Sequence, residues 1–111
     1  MKQDLEIKIQ VKKILKVIET IAPGKSVELR IPPYAAIQCV EGGNHRRGTP
    51  PNVVEMSAQT LLNISIEPQK WDQFCSNGTI SASGTNSNLA EIFNRVSKLI
   101  SNFDEELSDG K

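Results

Sequence analysis

The chain has 111 residues, 38% of them hydrophobic and 5% aromatic, enough for one core and one domain but too few for two. Thirteen basic and thirteen acidic residues cancel to a formal net charge of zero, which removes the strong field that nucleic acid or an anionic membrane would require. The balance shifts along the chain, from nine basic against five acidic in residues 1–47 to four against eight in residues 48–111.

Taken in chain order, Ile7, Val11, Ile14, Leu15, Ile18, Ile21 and Ala22 recur at spacings of three and four, with Lys8, Lys12, Lys13, Lys16 and Glu19 on other faces. That spacing predicts an amphipathic helix ended by Pro23-Gly24. No aromatic or arginine residue is interleaved with these lysines, so they read as a solvated face and no nucleic-acid partner is expected. Val27, Leu29 and Ile31 then alternate with Glu28 and Arg30, and Ile37, Cys39 and Val40 follow Pro32-Pro33, which predicts two strands; Val53 to Met56 predicts a third. Ser57 is placed to cap a short helix carrying Leu61 and Leu62. Pro68 suits the first turn of another, in which Trp71, Phe74 and Cys75 share a face and which Asn77-Gly78 stops. Thr79 to Ser83 reads as a small-residue strand with Ile80 and Ala82 on one side. Leu89, Ile92, Phe93, Val96, Leu99, Ile100 and Phe103 mark the closing amphipathic helix, with Asn88 and Glu91 resembling a capping box at its start. Residues 1–103 are expected to form the single domain, and the acidic 104–111 stretch to fray as a disordered tail. The order predicts an α/β (α+β) fold, a mostly antiparallel mixed sheet covered by helices on one face.

Cys39 and Cys75 have no metal-like or redox-like spacing and read as two free thiols of a reducing compartment. No leader and no run of about 18 apolar residues is present, so the expectation is a cytoplasmic protein with no transmembrane segment, whose Asn63-Ile-Ser65 and Asn77-Gly-Thr79 sequons are coincidental.

Residues 53–101 resemble the sterol carrier protein 2 family: Val53-Val54, then Leu61-Leu62, then Pro68 with Trp71 and Phe74, then Gly78-Thr-Ile80-Ser-Ala-Ser-Gly84, then the helix from Leu89. The first half is similar to a short bacterial branch of that family, through Arg30-x-Pro32-Pro33-x-Ala35, Gln38-x-Val40-Glu41-Gly42 and His45-x-Arg47-Gly48-Thr49-Pro50-Pro51-Asn52-Val53-Val54-Glu55. The resemblance implies a five-stranded sheet and a hydrophobic cavity that shelters sterols, fatty acids or acyl chains without chemical change. Four strands are evident, and a fifth would have to come from Glu67 or from the segment around Leu5 to Ile9. The lipid-binding relatives lack a counterpart of the His-Arg-Arg-Gly-Thr-Pro-Pro loop, so their ligand does not transfer with the fold.

Two groups of residues follow as candidate sites. Trp71, Phe74, Leu89, Ile92, Phe93 and Val96 would line a lipid cavity, or would simply be core. Arg30, Glu41, His45, Arg47, Asn52 and Glu55 would form a polar loop, either a structural corner of paired charges or an anion site. No nucleophile accompanies His45, and neither a cofactor nor a metal ligand set is suggested. The expected function is therefore a non-catalytic sterol-carrier-like domain binding a small lipid-like molecule. The alternative is an accessory or interaction domain of a thiol-dependent isomerase or transferase, gripping an anionic cosubstrate with Arg30, His45 and Arg47.

Overall fold

The computed structural model describes residues 2–42 and 51–109, with side chains over residues 3–42 and 51–102. Helix α1 (Lys2–Ile21) turns Val11, Leu15 and Ile18 inward while Lys8, Lys12, Lys13 and Lys16 stay exposed. Strands β1 (Val27–Ile31) and β2 (Ala35–Cys39) pair antiparallel with Leu29 opposite Ile37, and the peptide joining Pro32 to Pro33 between them is cis. Strand β3 (Asn52–Glu55) returns on the other side of β1 and runs parallel to it, with Val54 opposite Leu29. Strand β4 (Ser81–Ser83) pairs antiparallel with β3, which gives the order β2-β1-β3-β4.

Between β3 and β4 lie α2 (Ala58–Ile66), a 3-10 turn (Pro68–Lys70) and α3 (Trp71–Ser76). The Thr60 N–H donates to Ser57 Oγ at 3.1 Å, the side-chain cap that satisfies one of the orphan amides at the start of α2. Helix α4 (Ala90–Asp109) begins where the Ala90 N–H donates to Asn88 Oδ1 at 2.9 Å, and it continues past the last apolar repeat through the acidic stretch as far as Asp109.

Strand alternation decides which face is covered. Val27, Leu29 and Ile31 have no solvent exposure, nor do Cys39 and Val54, whereas Arg30, Ala36, Gln38 and Glu55 on the opposite face are exposed. The chain is thus an α+β domain with helices on one face of a mixed sheet, in which two of three strand pairings are antiparallel.

Some details depart from the sequence pattern. Val40 leaves the strand with a left-handed φ of 67°. Its N–H donates to Ala22 O at 2.7 Å, and a Cβ on Gly24 would collide with its carbonyl group, so the α1–β1 turn and the end of β2 are locked together. Ile80 is buried, but Ala82, paired opposite Val54 on the edge strand β4, is exposed. The segment considered for a fifth strand lies in α1, and Glu67 joins α2 to the 3-10 turn, so four strands make the sheet among the described residues.

Asn52 ties the far side of the sheet together. It is buried; its Nδ2 donates to Ser26 O at 2.8 Å and its Oδ1 accepts from the Asn86 N–H at 3.0 Å. Gly84 is required beside it, since any side chain there would run into the Asn52 amide at a φ of 108°. Asn52→Ala removes both side-chain bonds, leaving Ser26 O with only the backbone N–H of residue 52 at 3.2 Å and the Asn86 N–H without its partner, and is expected to cost about 2 kcal/mol. Chemical denaturation checks this; a loss under roughly 0.5 kcal/mol, the range of ordinary surface substitutions, would contradict it.

Candidate functional site

The space between sheet and helices, where the resemblance implies a lipid cavity, is bordered by the hydrophobic core. Trp71, Leu89, Phe93 and Val96 are buried members of one continuous core, and Phe74 and Ile92 are half-buried against it. The Trp71 and Phe93 rings stack with centroids 6.0 Å apart and planes at 26°, an offset geometry that aromatic pairs favour. All six expected wall residues belong to or pack against the core, and Val96 also reaches an open concavity.

That concavity lies on the outer side of the helical layer. Ile14 and Val17 of α1 face Val96, Leu99 and Ile100 of α4 across a groove of about 400 Å³ with an almost wholly apolar wall. A second apolar hollow of about 300 Å³ adjoins it, where Ile14 and Ile100 meet Leu62, Ser65 and Ile66 of α2. Lys13 borders both hollows. The volumes fall at the lower end of the range of small-molecule sites. Leu99 and Ile66 are 46% and 66% exposed, an apolar rim that a purely structural seam would bury. Leu62, Leu99 and Ile100 were legible as apolar helix positions and Ile66 was not singled out, and no feature of the sequence says that no further element covers them.

Of the polar candidates among the described residues, Arg30 and Glu55 are brought within ion-pair distance. Arg30 Nη2 contacts Glu28 Oε1 at 3.3 Å and its Nη1 lies 3.9 Å from Glu55 Oε1 on the open face of the sheet. The hydrogen bond and charge of Glu28, followed by the charge of Glu55, raise the pKa of the exposed guanidinium. Two carboxylates share this exposed cation. Asn52 is spent on backbone groups and Glu41 is exposed. His45 and Arg47 lie outside the described residues.

Neither thiol is poised for chemistry. Burial, then the charge of Glu19, pushes the Cys39 thiol up to about 11, and burial followed by Asp72 raises that of Cys75. Both cysteines are unpaired. Among the described residues, no cluster of three or more His, Cys, Asp or Glu side chains could hold a metal ion, and no helix is long and apolar enough to cross a membrane.

A one-sided mixed sheet under a helical layer that presents an apolar groove defines a small sterol-carrier-like domain. A family model described as bacterial SCP ortholog matches residues 3–94, most of the chain, and the protein belongs to that family. No curated protein matches it.

The thiol shifts have a measurable consequence. Cys39 has a folded pKa above its unfolded one, so its contribution to stability is complete below about pH 9 and is lost as pH rises toward about 11. Between those values the stability of the wild type is expected to fall more steeply than that of Cys39→Ala, as measured by urea titrations; equal slopes would contradict the assignment. At pH 8, iodoacetamide followed by peptide mass mapping should label Cys75 before Cys39.

Proposed function

We propose that this sterol-carrier-like domain is a non-catalytic binder of a small apolar or amphipathic molecule, sheltered in the groove between α1 and α4. The observation that carries the reading is the groove itself, about 400 Å³ lined by Ile14, Val17, Val96, Leu99 and Ile100. Apart from Lys13 its walls are aliphatic, so they can hold a molecule chiefly by burying it from water at about 25 cal/mol per Å² of apolar surface. The absence of chemistry is supported by the two thiols, whose raised pKa values keep them protonated at neutral pH. A cytoplasmic setting fits the same unpaired cysteines.

The test is extraction of purified protein with organic solvent followed by mass spectrometry. A lipid-like molecule is expected in near-stoichiometric amount. Leu99→Asp places a charge on the groove wall at a half-exposed position, so the fold should survive while retention drops roughly tenfold, because the carboxylate must be desolvated for the ligand to bind. Wild type that carries no lipid and takes none up from a dispersed lipid mixture would contradict the reading.

A further inference from the structure

Among the described residues the sheet has two edges, and they are finished differently. Strand β4 has three residues, Ser81–Ser83, followed by Gly84, a short polar edge of the kind that discourages pairing with another chain. Strand β2 lies at the other end of the order β2-β1-β3-β4 and has five residues, Ala35-Ala36-Ile37-Gln38-Cys39, without a charge or a proline. No further strand pairs with its outer side among the described residues. A longer, uncharged edge left open in this way is a template for one more strand.

The helix beside that edge says which strand it fits. Lys12, Lys16 and Glu19, spaced along one face of α1, share a hollow with Ala35, Ala36 and Ile37 of β2. All three charged side chains are exposed, and among the described residues none of them forms an ion pair. The charge of Glu19 acts on the Cys39 thiol, and the Val40 N–H donates to Ala22 O. Helix α1 therefore runs along β2 with Glu19 toward the Cys39 end and Lys12 toward the Ala35 end, so the edge is flanked by positive charge at one end and negative charge at the other. A uniformly acidic or basic segment would meet a like charge at one of those ends. A second copy laid antiparallel meets an opposite charge at both.

We propose that β2 is a self-association edge, to which a second copy of this chain adds its own β2 antiparallel about a two-fold axis near Ile37, joining two four-stranded sheets into one. Antiparallel pairing sets the Ala35 end of one protomer against the Cys39 end of the other, which brings Lys12 of each copy to Glu19 of the other; the two-fold axis makes that contact occur twice. Element lengths agree on the centre. From Val40 back to Ile37 is about 10 Å of strand, and the same distance back from Ala22 is about six or seven helical residues, which reaches Leu15 and Lys16, midway between Lys12 and Glu19. The contact leaves the α1–α4 groove open, because Ile14 and Val17 line that groove from another face of α1.

Sedimentation equilibrium of the full chain tests this. The contact is small, so a dissociation constant on the order of 10 µM is expected. Lys12→Glu sets carboxylate against carboxylate twice in the dimer and should weaken it about tenfold; Glu19→Lys should do the same, and the two substitutions together should restore affinity to within about threefold of the wild type. Both positions are exposed, so these variants keep the fold. Lys16→Ala, which removes a like charge near the axis, should tighten the dimer about twofold. Amide hydrogen exchange across Ala35–Cys39 should slow as protein concentration rises. Wild type that stays monomeric at roughly 1 mM overturns the proposal, as does a doubly substituted chain that associates no better than the single variants. Association lost in Leu99→Asp but kept in Lys12→Glu would place the contact on the α1–α4 groove and overturn it equally.

Discussion

Covering one face of a short, four-stranded sheet is the constraint on which the rest of this structure depends. Val27, Leu29, Ile31 and Val54 project from one side of β1 and β3 and have no solvent exposure. Each such aliphatic side chain contributes about 1.5–3 kcal/mol only if something apolar lies over it. The opening turns of α4, through Leu89, Phe93 and Val96, do this together with Trp71, whose ring stacks on Phe93. A hollow in that position would forfeit contacts that stabilise the sheet, whereas the groove between α1 and α4 has no strand residue in its lining.

Element lengths explain why room remains there. Helices α1 and α4 each have 20 residues, about 30 Å at ~1.5 Å per residue, whereas the five residues of β1 extend only about 17 Å. The helices overrun the sheet they cover. Where they do, their apolar stripes continue without a strand beneath: Leu5, Ile9 and Leu99 are exposed, and Ile14, Val17 and Ile100 are only half-buried. The overrun places aliphatic walls opposite one another, with α2 closing one end, which is a groove made by geometry more than by specialised residues.

Much of the fold was legible because its signals are local. Pro23-Gly24, the Ser57 cap, Pro68 and the three-four spacing of the closing helix each specify an element through contacts within a few residues, and the alternation in Val27 to Ile31 specifies the covered face. Periodicity identifies an apolar face without saying what covers it. Phe93 and Leu99 belong to one helical stripe, yet the first is core and the second is groove rim, and only the ends of the strands separate them. Arg30 was similarly ambiguous: an arginine in a strand reads as a ligand anchor or as an ion pair, and the registers that set Glu28 and Glu55 beside it come from pairings between distant segments. Asn52 looked like part of a polar loop because its neighbours Pro50 and Pro51 are turn residues. Its role as a buried brace depends on Ser26 and Asn86, more than twenty positions away on either side.

Locating a bound aliphatic chain tests the central claim most directly. With methyl-labelled protein and protonated dodecanoate, isotope-filtered nuclear Overhauser spectra should connect the ligand's methylene protons to the methyl groups of Ile14, Val17, Val96, Leu99 and Ile100. Contacts to the rings of Trp71 and Phe93 instead would show that the inner core opens to admit a ligand, and would contradict the account.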